Sequence, residues 1–260
     1  MTIVVSDPAV KVPARGALGQ TVRMDSRTAA AVIDNARWCD LVCSTHGIGG
    51  RFDADAWISP RRTPPMYPDA VTLRPDVSVE ALLARIDPSA GCSIKDSFAS
   101  LDLAAEGFRV LFDATWMYRP AGPPPDRSPW RWERVVRPEE LRGWSDDHGG
   151  GPTFTPALLE ASGVTILSGR DPEGRRRAGA IATEGEAAVG ISNVFAIDEH
   201  GDRGSADACS AAFAAATTAI VDRFPDRPLV GYETGLALDA ALALGFEAAG
   251  PLRVWLRDAP

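Results

Sequence analysis

The amino-acid sequence predicts an α/β protein whose strands form a mixed α+β sheet, in two parts. Residues 130–260 read as the main domain, and residues 24–119 as a smaller α/β domain before it. Three observations lead there. Apolar residues recur with period two in some segments and at helical spacing in others, the marks of strands and helices. Five prolines in "PAGPPPDRSP" (120–129) forbid a helix or an interior strand, and mark an extended connector between the parts. From Trp130 onward the elements read β-α-α-β-β-β-α-β-α-β, unlike the steady alternation of a doubly wound fold.

Residues 1–23 read as a loosely held arm. The helix in "DSRTAAAVIDNARWCDLVCSTHG" starts at a capping Asp25 or Ser26 and stops at Gly47. A proline-rich loop, "WISPRRTPPMYPDAVTLRP", leads to a short strand at Val71–Leu73, and Ser78 caps a second short helix, "SVEALLARID". "FRVLFDATWMYRP" is an interior strand, because Val110, Phe112, Ala114 and Trp116 are set against Leu111 and Met117 and leave neither face polar. Beyond the connector, "WRWERVV" is a strand. "RPEELRGWSDDH" is a helix with Pro138 in its first turn, beside acidic residues that the helix dipole favours there. "TPALLEAS" is a second short helix. The strands "VTILSGR", "RRRAGAIATE" and "AAVGISNVFAI" follow, joined by turns at "DPEG" and at Gly185-Glu186. A long helix from about Ala206 to Phe224 sets Cys209, Ala212, Phe213, Ala216 and Ile220 on one side. "PLVGYE" is a strand, "LALDAALAL" a helix stopped by Gly245, and "PLRVWLR" the last strand.

Composition excludes several classes of function. With 260 residues, 45% hydrophobic and 24% charged, the chain has an ordinary globular make-up. Its formal net charge of −8 argues against a large nucleic-acid footprint. No apolar run approaches the roughly 20 residues that cross a bilayer, and the first residues lack the pattern of a signal peptide. Four scattered cysteines fit a reduced cytoplasm, with Cys39 and Cys43 as small buried hydrophobes on one helix face. No histidine-rich or cysteine-rich metal motif is present.

The stretch "AIDEHGDRGSADACSAAF" (196–213) carries the sharpest functional signal. A strand ends near Ile197, a helix begins near Ala206, and small residues between them bring free amides close to any anion. On the local motif alone, an anion cradle and a plain connection capped by Ser205 are equally good readings. The element order, this turn and the tail "GYETGLALDAALALGFEAAGPLRVW" together resemble the GNAT superfamily of acyl-CoA-dependent N-acyltransferases over residues 130–260. Gly204-Ser205-Ala206 fits the Gly-x-Gly/Ala part of that family's pyrophosphate loop, and "ALALGFE" fits its helix-then-Gly-Phe ending.

The resemblance implies acetyl-CoA or another acyl-CoA as co-substrate and an amine of a small molecule as acceptor, with no metal. It implies a coenzyme A site built from Val194, Phe195, Ala196 and Ile197 of the strand, with Gly201, Asp202, Arg203, Gly204, Ser205 and Ala206 of the loop, and Thr234. Three positions depart from the family. Gly201 replaces Gln or Arg, Ala241 replaces the tyrosine that often protonates the thiolate, and Thr234 replaces a frequent asparagine. These departures keep open a carrier-protein or aminoacyl-tRNA donor, or a binding protein without turnover. A homodimer is also left open.

Acyl transfer to an amine needs a polarised carbonyl, a base for the amine and an acid for the thiolate. A backbone N–H near Val194, Phe195 or Ala196 is the oxyanion donor, Glu233 the candidate base, and Tyr232 the candidate acid. Asp198, Glu199 and His200 shape the loop, and His200 is the one histidine expected near the site. "HGIGG" (46–50) is a helix stop, "SDDHGGG" (145–151) a solvated loop, and "GRRRAG" (174–179) a charged hairpin turn. Residues 24–119 are either a degenerate half of the same fold or a cap over the acceptor pocket, with "WISPRRTPPMYP" (57–68) as a candidate lid.

Overall fold

The computed structural model describes residues 25–125, 128–198, 200 and 205–258, with Ala206 described in its backbone alone. The expected arm and the loop residues Glu199, Gly201, Asp202, Arg203 and Gly204 lie outside the described residues.

Helix α1 (Ser26–Thr45) starts where the Asp25 carboxylate accepts the Arg27 amide and ends before Gly47, whose φ of +69° suits a residue without Cβ. Three short strands follow: β1 (Arg51–Phe52), β2 (Ala56–Ile58) and β3 (Ala70–Thr72). Helix α2 (Val79–Leu83) begins at Ser78, whose hydroxyl accepts the Ala81 amide, and leads to β4 (Ser93–Asp96) and the long β5 (Phe108–Arg119). After the connector come β6 (Arg131–Arg134), α3 (Pro138–His148), β7 (Val164–Arg170), β8 (Arg176–Glu184) and β9 (Val189–Ala196). Helix α4 (Ala206–Arg223), β10 (Leu229–Glu233), α5 (Gly235–Ala243) and β11 (Glu247–Arg257) complete the order.

Three expectations need correction. "TPALLEAS" forms only a 3-10 turn at Pro156–Leu159, and the last strand starts before the Gly250-Pro251 pair rather than after it. Cys209 is exposed, so the buried stripe of α4 runs through Ala212, Phe213, Ala216 and Ile220 without it. Strands β1, β2 and β4 have no counterpart in the sequence reading. They are two to four residues long, too short for an alternation to register.

All eleven strands join one sheet in the order β1-β2-β3-β4-β11-β5-β10-β9-β8-β7-β6. Two neighbouring pairs are parallel, β3 with β4 and β9 with β10, and the others are antiparallel. Each parallel pair is bridged by a helix, α2 in the first case and α4 in the second. Strand β5 lies between β10 and β11, although the connector separates it from both in sequence. The two segments therefore share a sheet and exchange a strand across it. Helices α1 and α3 cover one face, where Trp38, Trp57, Trp116 and Trp144 are buried. Helices α4 and α5 cover the other beside Met117, Ile191 and Leu229, and Leu82 of α2 packs on Ile94 and Trp255 at the far end.

Candidate active site

Strands β9 and β10 pair only at Val189–Leu229 and Gly190–Val230. Beyond that point each follows its other neighbour: β9 stays on β8 as far as Ala196, and β10 stays on β5 as far as Glu233. Gly231 stands where they part, and a Cβ there would lie 2.7 Å from the Ile191 carbonyl oxygen. On β9 the register against β8 slips between its pairings with Gly179 and Ile181, and Asn193 takes a left-handed φ of +53°. A bulge of this kind re-aims the backbone and leaves a residue without a ladder partner. The two strands thus part, and the gap opens into a cleft.

The cleft encloses about 290 Å³, the small end of ligand sites. Ser192, Asn193 and Val194 of β9 line it with Gly231, Tyr232 and Glu233 of β10. Across from them stand Ala31, Asp34, Asn35, Trp38 and Cys39 of α1, the Met66-Tyr67-Pro68 turn, and Lys95 of β4. Val194 packs towards α4 while Tyr232 packs towards α1, so residues from both faces of the sheet reach one cavity.

Two carboxyl groups at the cleft are shifted strongly. Burial pushes Glu233 from 4.5 up to about 7, opposed by a hydrogen bond from the Thr234 amide. Burial likewise raises Asp34 from 3.8 to about 7, against the Thr183 hydroxyl and the nearby Arg37. The Thr183 hydroxyl donates to the Asp34 carboxylate at 3.0 Å, which ties α1 to the β8–β9 hairpin. Tyr232 stands edge-on to Trp116, with ring centroids 5.5 Å apart, and carries Lys95 Nζ 4.3 Å from its own centroid. Burial raises the Tyr67 phenol, and the proximity of Tyr232 adds to that rise. Burial also raises the Cys39 thiol, which keeps it protonated and a poor nucleophile.

Among the residues expected to hold coenzyme A, Val194 lines the cleft. Phe195 and Ala196 return to pairing with Gly179 and Ala178, and Ile197 donates its amide to Arg177. The Ser205 hydroxyl accepts the Ala208 amide as the cap of α4, and Ala206 opens that helix. Thr234 is exposed at the start of α5. Ala241, at the position of the family's tyrosine, is buried in the core with Phe213 and Phe246.

His148, not His200, is the histidine at the cleft; it stacks on Trp144 at 5.4 Å. Asp147 pairs with Arg176, and Arg175 and Arg177 both hold Asp171, so the charged hairpin is internally neutralised. The candidate lid is tied down at Trp57, Arg61, Arg62 and Thr63. Trp57 is buried and donates to Asp40, Arg62 is held by Asp69, and only its last residues face the cleft. Among the described residues, no group of three or more His, Cys, Asp or Glu is placed to hold a metal ion, and no helix is long and apolar enough to cross a membrane.

The sequence reading missed Asp34, Asn35, Trp38 and Lys95. They come from the N-terminal segment, which carries no motif. Only for Lys95 was there a signal: the chain has two lysines among 27 basic residues, and this is one of them.

By sequence, neither a protein-family model nor a curated protein matches the chain. Solved structures do match it. A GCN5-related N-acetyltransferase from Kribbella flavida superposes with a TM-score of 0.59 at 14% identity, covering 89% of this chain and 96% of that one. The chain has the GNAT fold. A putative acetyltransferase from the GNAT family of Novosphingobium aromaticivorans gives 0.54 at 13% identity over 90% of this chain and 100% of its own. A functionally unknown conserved protein from Staphylococcus epidermidis gives 0.54 at 11%, over 80% and 93%. Coverage of 89% requires that the N-terminal segment align as well, so the GNAT likeness extends past residues 130–260, where the motifs lie.

Proposed function

We propose that this protein transfers an acyl group from a coenzyme A thioester to an amine of a small molecule. The observation that carries this reading is the parting of β9 and β10 beside the start of α4, with Glu233 at the mouth of the gap. The unpaired edge of β9 opposite the bare Gly231 fits an extended arm laid between the strands, with the Asn193 bulge turning amides toward its end. When bound, the thioester supplies an activated acyl carbonyl.

The protein's own residues do the rest. Glu233, ionised above about pH 7, takes a proton from the ammonium of the acceptor and leaves a free amine. The backbone N–H near Val194 donates to the carbonyl oxygen as the amine attacks. The C–S bond then breaks, and the thiolate receives a proton from the Glu233 carboxyl, either directly or through Tyr232, which gives its own proton and takes that of Glu233. The proton left on the new amide nitrogen passes to water. Helix α1 and the 66–68 turn close the acceptor side, which supports the capping role of the N-terminal segment. The mirrored pairs β3–β4 and β9–β10, each bridged by a helix, support its reading as an abbreviated second copy of the same fold.

Thermal unfolding with coenzyme A, acetyl-CoA and longer acyl-CoAs tests the reading. A ligand bound only by the folded state raises the midpoint with concentration. Absence of any rise at millimolar ligand, together with no amide product across a panel of primary amines, would overturn it.

A further inference from the structure

Lys95 is 5% exposed, yet it lines the cleft. Its Nζ donates to Asn35 Oδ1 at 2.8 Å and lies over the Tyr232 ring, and no carboxylate among the described residues lies within ion-pair distance of it. An ammonium has three donors, and Asn35 accepts from one. An amide oxygen and a ring face offer dipoles to a buried charge, whereas the large cost of burying a cation is offset best by an anion. Because Asn35 turns its oxygen to Lys95, its NH₂ group remains to donate to that same anion.

We propose that the acceptor is an amine that also bears a carboxylate, an α-amino acid or close relative, and that Lys95 and Asn35 receive the carboxylate. The proposal rests on the acyl-transfer reading and names its substrate class. Lys95 covers the ring of Tyr232, and Glu233 is the next residue along the strand. Lys95 and Glu233 line the same cleft, so a molecule with its carboxylate on Lys95 occupies the cavity that also holds the base. Trp38 and Tyr67, packed with ring centroids 6.4 Å apart, give the remaining wall an apolar character suited to an uncharged side chain.

Calorimetric titration of the full chain with matched pairs tests this: L-phenylalanine against 2-phenylethylamine, L-leucine against 3-methylbutylamine, L-alanine against ethylamine. In the unmodified protein at least one amino acid is expected to bind roughly 10- to 100-fold tighter than its decarboxylated partner, the worth of a charge-assisted hydrogen bond. Lys95→Met should collapse that ratio toward one, and Lys95→Arg should restore much of it. A purely structural lysine would lower both affinities together. Where Lys95→Met does not fold, Asn35→Ala gives the second reading, with a several-fold fall in the ratio.

Equal affinities within every pair, a ratio unchanged in the folded variants, or no amino acid bound at all would each overturn the proposal. The two readings fail separately. Turnover of amines and amino acids alike, indifferent to Lys95, removes the carboxylate subsite and keeps the transferase. Carboxylate-dependent binding without any turnover keeps the subsite and removes the reaction.

Discussion

Replacing Glu233 by glutamine tests the environment on which the base assignment depends. In the folded protein burial holds the carboxyl neutral up to about pH 7, against 4.5 ordinarily. That interval corresponds to about 3 kcal/mol of preference for the protonated form. The sign follows from proton binding. Between pH 4.5 and about 7 the folded state holds a proton that the unfolded chain has released, so stability falls as pH rises through that window and is level above it. Glutamine keeps the shape and cannot ionise. Urea unfolding at half-unit steps from pH 4.5 to 8.5 should therefore show a flatter curve for Glu233→Gln. The variant should match the parent at the acid end and exceed it by up to about 3 kcal/mol at pH 8. Asp34 contributes a fall of the same sign, rising as it does from 3.8 to about 7, and it persists in the variant. In the transfer assay the parent's kcat/KM should rise with an apparent pKa near 7, and the variant should lose that limb with most of its rate. Parallel stability curves for the two proteins would refute the buried carboxyl, and with it the base.

Two further outcomes follow from the fold. A Cβ at Gly190 would lie 2.0 Å from Asp34 Oδ2 and 2.3 Å from Thr183 Oγ1, so Gly190→Ala should break the tie between α1 and the hairpin at a cost of about 1–3 kcal/mol. The same change should cost clearly less in an Asp34→Ala background, and equal costs in the two backgrounds would show that the clash lies elsewhere. Residues 128–260 expressed alone lack β5 and leave bare edges on β10 and β11, so this fragment should aggregate or unfold without cooperativity unless residues 25–125 are co-expressed. A monomeric fragment with a sharp transition would contradict the exchanged-strand topology.

Most long elements were legible because their signals are local. Asp25 and Ser78 cap helices, Pro138 starts one, and Gly47 and Gly245 end two, all through backbone chemistry spanning a few residues. The gap at β9–β10 is what the GNAT resemblance of the turn and tail implies, and no local signal in the residues encodes it. The acceptor side was not. Asp34, Asn35 and Lys95 look like ordinary helix and strand residues, and their neighbours in space lie 60 to 149 positions away in the chain. The acid position shows the same limit: Ala241 reads as a missing functional group in sequence, whereas in the fold it fills the α4–α5 core.

The sequence by itself determined most of the long strands and helices, because capping, periodicity and proline geometry act between near neighbours. The tertiary structure alone decided that β5 crosses into the C-terminal segment, that α1 roofs the cleft and that a lone lysine is buried beside Tyr232. Those outcomes depend on which apolar faces pack together and how much charge the packing buries. Both are properties of the whole chain, and no short stretch of sequence encodes them.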